Sequence, residues 1–198
     1  MKERISNGAT CGRVDWNKIP SSQRPSSSNR FNYYMFRGGE DTFLNWIEIG
    51  EYGAYTTGGA HYGIDLTNSK AGKTENAPIY SVGSGAVYRA RWNSVYGNYV
   101  VLDIGNRKVY FTHMKSNLQV IEGQNVTRRN QLGVVGNTGS SSQGNHLHFE
   151  LRNSSTGGDI HTGTRVISES YNPTKYYPRG TFVCSLCVYN SNHTCKYK

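Results

Sequence analysis

His146-Leu147-His148-Phe149-Glu150-Leu151 alternates polar and apolar side chains through six positions. A β-strand sends successive side chains to opposite faces. This stretch therefore places His146, His148 and Glu150 on one face and Leu147, Phe149 and Leu151 on the other. A second stretch, His61-Tyr62-Gly63-Ile64-Asp65-Leu66, repeats the arrangement, with His61, Gly63 and Asp65 opposite Tyr62, Ile64 and Leu66. Gly63 has no side chain, so an open gap is expected between His61 and Asp65. The apolar faces can build a core. The polar faces hold three imidazoles and a carboxylate, donors that suit zinc. For a single histidine the plain reading is a polar group on the solvent face of a sheet. Four such groups on two strands favour a metal site, and spacing alone admits either catalytic or structural zinc.

Outward from these segments the chain keeps the same character. Short apolar runs separated by glycines predict strands over 43–49, 61–66, 79–82, 85–92, 98–104, 107–113 and 146–152. Gly105-Asn106 between two of them predicts a hairpin turn. The absence of any long helical period, with 23 Gly and 15 Tyr in 198 residues, predicts a mostly antiparallel β fold. Residues 1–30, rich in Ser, Arg, Asn and Pro, read as a flexible polar arm or linker. A domain then spans 31–178, and 179–198 form a Cys-rich tail. No apolar run approaches membrane-spanning length, so no membrane span is expected, and Met1-Lys2-Glu3-Arg4 does not read as a signal peptide. The net charge of +9 favours an anionic partner such as nucleic acid or a bacterial cell wall. No nucleic-acid-binding motif accompanies the charge, so nucleic acid is not expected.

The motifs together resemble the LytM/lysostaphin-type zinc endopeptidases. The resemblance is carried by His61-x-Gly63-Ile64-Asp65, Tyr110-Phe111-Thr112-His113-Met114 and Gly144-Asn145-His146-Leu147-His148-Phe149-Glu150. Glu122-Gly123-Gln124, Leu132 to Gly139 and Asn172-Pro173 add to it, so that it covers residues 55–178. It implies a compact antiparallel β-sheet domain of the duplicated hybrid motif type, with a groove holding one Zn2+. It also implies that His61, Asp65 and His148 bind the zinc, that His146 and His113 are the catalytic imidazoles, and that the substrate is a peptide bond of peptidoglycan. Zinc lowers the pKa of its bound water from far above neutrality toward about 7. One imidazole can then move the proton and the other can donate to the oxyanion. The expected division makes His146 the base and His113 the oxyanion donor. Peptidoglycan, the anionic wall, becomes the expected partner of a monomeric module belonging to a larger protein. Action is expected outside the cell or at the wall, whether secreted or associated with a phage virion or lysis. The alternative is a non-catalytic wall-binding or regulatory module of the same fold.

Glu150 can either orient a ligand or pair with a basic side chain. The loop Gly136 to Gly144 reads as a connection or as one wall of the substrate groove. The stretch Arg152 to Tyr171 is longer than the family's usual link and reads as a surface or specificity loop. His161 within it is not expected to be a ligand. Cys184, Cys187, His193 and Cys195 have an uncommon spacing for zinc, and a disulfide with one spare thiol is expected. Cys11 is expected to be free.

Overall fold

The computed structural model describes residues 4–5, 35–36, 46–50, 52–55, 60–128, 130–153, 170–176, 183–184, 187–189 and 195–197. Among them the chain runs through β1 (Arg4–Ile5), β2 (Trp46–Gly50), β3 (Gly53–Tyr55), β4 (Ala60–His61) and β5 (Gly63–Asn68). It continues with β6 (Pro78–Tyr80), β7 (Gly85–Asn93), β8 (Gly97–Ile104), β9 (Arg107–Met114), β10 (Asn125–Val126) and β11 (Gln131–Val134). It ends with β12 (Leu147–Asn153), β13 (Ser170–Tyr171), a 3-10 turn at Pro173–Tyr176, then β14 (Val183–Cys184), β15 (Cys187–Tyr189) and β16 (Cys195–Tyr197). No described helix is long and apolar enough to cross a membrane.

The main sheet runs β10-β7-β8-β9-β12-β5-β2-β14, with β13 also on β12. Its pairings are antiparallel except β14 on β2. The expected hairpin is present. Ile104 faces Arg107 across Gly105-Asn106, and Gly105 takes the positive φ of +63° that such a turn needs. One face of the sheet buries Ile64, Leu66, Val100, Leu102, Val109, Phe111, Leu147, Phe149 and Leu151 in a single core. The β6–β11 ribbon contributes Ile79 and Leu132 to the same core, and Phe36 stacks on the buried Trp46. The 3-10 turn packs on β12 and brings Tyr176 against this core.

The opposite face is not the solvated face that the plain reading supposes. Tyr99, Val101 and Tyr110 are buried there with Tyr88 and Tyr96 around them. On β9 and β12, Lys108, Thr112, His148, Glu150 and Arg152 are buried as well. The metal-motif side chains therefore lie in a polar, largely water-excluded layer.

The expected strand 61–66 is interrupted. β4 pairs with β3 in a small sheet, placing His61 opposite Gly53, and the main-sheet strand begins only at Gly63. Geometry requires this break. Four residues of extended strand separate Cα atoms by about 13 Å, too far for His61 and Asp65 to touch. Gly63 does not leave a gap either. A Cβ there would lie 2.4 Å from the Phe149 carbonyl oxygen and 2.9 Å from His148 Nε2, so the glycine lets β12 approach. Cys11, His161 and His193, and all but the ends of the 152–171 stretch, lie outside the described residues. In the tail hairpin Cys187 is in register with Tyr197 and Cys195 with Tyr189.

Phe149 is fully buried and its ring lies 5.3 Å from that of Phe111. Phe149→Ala is expected to destabilise the fold by about 3–5 kcal/mol, read as a shift in the denaturant midpoint. A shift within about 0.5 kcal/mol would mean that this core does not carry the sheet.

Candidate metal centre

β12 lies between β5 and β9, and its register assembles the centre. His148 is opposite Asp65 on one side and Thr112 on the other, while Glu150 is opposite Gly63 and Tyr110. His148 Nδ1 lies 2.9 Å from Asp65 Oδ1, and His61 Nε2 lies 3.2 Å from the same oxygen. The two ring nitrogens are 3.0 Å apart. Among the described residues this is the cluster whose ligand atoms all lie within 4.8 Å of one another. Donors around a four-coordinate zinc at its usual bond lengths stand about 3.3 Å apart. Two nitrogens and one oxygen already near that spacing fit such an ion.

Of the two alternatives for Glu150, the pairing with a basic side chain is present, and the carboxylate also stands near a candidate ligand. Its Oε2 is 3.6 Å from His148 Nε2, and its Oε1 accepts a 2.5 Å hydrogen bond from Arg152 Nε. The Arg152 guanidinium in turn lies 4.3 Å over the Tyr110 ring. Glu150 is 1 % exposed, so the carboxylate is held between a cation and the candidate ligand.

The other two imidazoles stand beside the cluster. His146 Nε2 is 3.7 Å from Asp65 Oδ1, and its ring centroid is 4.7 Å from that of His113. His113 follows a register shift between β8 and β9 and has a left-handed φ of +61°. Such a bulge re-aims a side chain. Each ring bonds a backbone carbonyl through Nδ1: His113 to Thr138 at 2.9 Å and His146 to Gly144 at 2.8 Å. A carbonyl can only accept, so in both rings Nδ1 carries a hydrogen, and in the neutral form of either ring Nε2 holds the lone pair. Thr138 and Gly144 both belong to the loop 136–144. Their part in the site has no sequence signal, because backbone oxygens belong to every residue.

Electrostatics divide these groups. Burial alone would raise the Asp65 carboxyl, but hydrogen bonds from His148 and His61 and their charge prevail and hold it well below the usual carboxylate range. His148 is opposed by burial too, yet its bond to Asp65 and the nearby Glu150 carboxylate push it up to about 9. Burial, reinforced by charge on His146 and His148, pushes His113 down to about 4. A resting His113 is thus neutral with Nε2 as an acceptor. The donor role expected for it requires a ring that has first gained a proton.

Residues 59–165 match the family model described as Peptidase family M23. This chain belongs to peptidase family M23. The peptidoglycan DD-endopeptidase ShyA of Vibrio cholerae is 41% identical over 75 residues, 37% of this M23 chain and 17% of ShyA. The M23 chain spans about a fifth of the length of the curated relatives it matches. A zinc containing peptidase from Vibrio cholerae is similar in structure, with 26% identity, a TM-score of 0.50, and 62% and 36% of the two chains covered. The catalytic domain of lysostaphin from Staphylococcus simulans gives 24% identity and a TM-score of 0.53 over 70% of this chain and 96% of that domain. The mostly antiparallel sheet is the lysostaphin-type fold.

Two outcomes are expected from this geometry. In the metal-free protein, the raised His148 stabilises the fold fully below its ordinary 6.5, and that contribution is lost as pH rises through about 9. For His113 the unfolded chain gains a proton below 6.5 but the folded protein only near 4, so stability falls as pH drops through that window. The thermal midpoint of chelator-treated protein should therefore peak near pH 6.5 and decline on both sides. A midpoint that climbs steadily from pH 7 to 9 would contradict the His148 assignment. Glu150→Gln keeps an acceptor for Arg152 but removes the negative charge facing His148. It should weaken metal binding by about 10-fold or more, read by competition with a chromophoric chelator.

Proposed function

We propose that this M23 chain is a zinc-dependent endopeptidase that hydrolyses peptide bonds in the stem peptides or cross-bridges of bacterial peptidoglycan. The observation that carries the reading is the convergence of His61, Asp65 and His148 beside two further imidazoles whose acceptor nitrogens are set by the fold. His61, Asp65 and His148 hold the zinc, leaving a fourth position for substrate as in catalytic sites. Zinc there supplies Lewis acidity and makes water nucleophilic at neutral pH. His146, with Nδ1–H held by Gly144 and Nε2 beside Asp65, accepts a proton from the attacking water and delivers it to the leaving amine. His113 presents a second acceptor and becomes a hydrogen-bond donor to the oxyanion only after protonation. The buried Tyr99 and Tyr110, with Tyr96 packed against them, limit water around these groups.

The substrate class is supported by the name of the 41%-identical relative, a peptidoglycan DD-endopeptidase, and zinc by that of the Vibrio cholerae structure. The net charge of +9 would hold the enzyme to an anionic wall. On this reading residues 31–178 are the catalytic unit between the polar arm 1–30 and the Cys-rich tail 179–198. The unit works as a monomeric module of a larger protein, outside the cell or at the wall, in a secreted or phage-associated setting.

Purified peptidoglycans of known stem and bridge chemistry should be cleaved by the zinc-loaded protein, and mass spectrometry of the products names the bond. His61→Ala, Asp65→Ala and His148→Ala should each lose both metal and cleavage. His113→Ala and His146→Ala should keep the metal while turnover falls by about 100-fold or more. Zinc-loaded, folded protein that cleaves none of the substrates would sink the endopeptidase reading. A His146→Ala variant that loses zinc while His148→Ala keeps it would reverse the assignment of the pair.

A further inference from the structure

The loop 136–144 is fastened to the rest of the sheet at a small number of defined points, and Thr138 is the centre of them. Its hydroxyl donates to the Met114 carbonyl at 2.6 Å and accepts from the Asn98 N–H at 2.9 Å. The same residue's carbonyl accepts from His113 Nδ1 at 2.9 Å. Met114 follows His113 directly, so one threonine grips the chain beside this imidazole and, through its carbonyl, the ring itself. The approach is close enough to require glycine on both sides. A Cβ on Gly97 would sit 2.1 Å from Thr138 Oγ1, and one on Gly139 would sit 2.2 Å from the Gly97 nitrogen. Both glycines have positive φ, +68° and +89°. Beyond Thr138, Ser140 and Ser141 donate through their backbone N–H groups to the Ser94 and Val95 carbonyls, which ties the following residues to the β7–β8 turn and leaves the placing of the Thr138 carbonyl to its own hydroxyl.

We infer that Thr138 is a positioning residue for His113. Its hydroxyl anchors the loop so that its carbonyl fixes the ring as the Nδ1–H tautomer and leaves Nε2 as the lone-pair nitrogen. The tautomer of a histidine is set by the hydrogen bond that its other nitrogen makes. Without the anchor, the Thr138 carbonyl can move off the ring, and His113 can take either tautomer. A ring with hydrogen on Nε2 presents a donor where the wild type presents an acceptor. His113 is also held at φ +61° by its N–H bond to the Tyr96 carbonyl, so its backbone keeps the same place while the ring's chemistry changes. The consequence for turnover rests on the proposed catalytic role of His113; the tautomer itself does not.

The test uses the full-length chain loaded with zinc and labelled with 15N-histidine. Thr138→Val removes the hydroxyl at nearly constant volume, Thr138→Ala removes it without added bulk, and Thr138→Ser restores it. Long-range 1H–15N spectra report the His113 tautomer, alongside thermal midpoint and zinc content. The wild type and Thr138→Ser should show His113 with hydrogen on Nδ1. Thr138→Val and Thr138→Ala should show a mixture of tautomers with one zinc retained. Turnover on a soluble muropeptide should fall by about 10- to 100-fold with KM little changed, because a ring released from the Thr138 carbonyl loses its fixed orientation as well as its single tautomer. A wild-type His113 tautomer in the folded hydroxyl-less variants overturns the inference. A changed tautomer with unchanged turnover upholds the positioning role and removes His113 from the reaction instead.

Discussion

The register of β12 between β5 and β9 is the constraint on which the rest of the molecule depends. Leu147, Phe149 and Leu151 are each fully buried on the core side. Burying side chains of this size is worth about 1.5–3 kcal/mol apiece, so the strand has one acceptable facing. That choice forces His148, Glu150 and Arg152 onto the other face, opposite Asp65, Gly63 and Lys108 respectively. A slip of one residue would exchange the two sets. The polar layer is thus held in place by hydrophobic burial behind it. Its own charges are matched locally, Glu150 with Arg152 and Asp65 with the imidazoles, which offsets the cost of removing them from water.

Regular strands could not complete the centre. His61 reaches Asp65 only because the chain breaks at Tyr62 and changes sheets, and His113 turns inward only because β9 bulges beside it. A non-glycine residue in the left-handed region costs on the order of 1–3 kcal/mol. At His113 the surrounding bonds to Tyr96 and Thr138 oppose that cost. Irregularity and chemistry coincide here: these two departures from ideal geometry are at two of the five histidine and aspartate side chains gathered at the centre.

Much of this was legible in the sequence, for physical reasons. Alternation of period two identified β12 and its two faces, the Gly105-Asn106 turn fixed the β8–β9 hairpin, and the five side chains His61, Asp65, His113, His146 and His148 are gathered as expected. The reading of residues 61–66 as one strand failed, because side-chain parity says which face a residue points to and nothing about the distance along the strand. The gap expected at Gly63 failed for a related reason: what occupies a missing side chain's space is decided by the neighbouring strand. The donor role expected for His113 could not be weighed from residue types, since it turns on which ring nitrogen meets a carbonyl. The carbonyls concerned belong to Thr138 and Gly144, and a sequence does not mark its backbone oxygens.

His148 is far along the chain from the other two donor side chains of the cluster: 83 residues separate Asp65 from His148, and 87 separate His61 from His148. Contacts of that span form late, after the entropy of closing long loops has been overcome. A chain that has folded only its central hairpins, β7–β8–β9, contains none of the cluster. An ion bound by all three side chains therefore selects forms in which β12 is paired with β5 over those in which it is not, and by mass action shifts the equilibrium toward them. Metal occupancy then reports that β5 and β12, distant in sequence, have found one another.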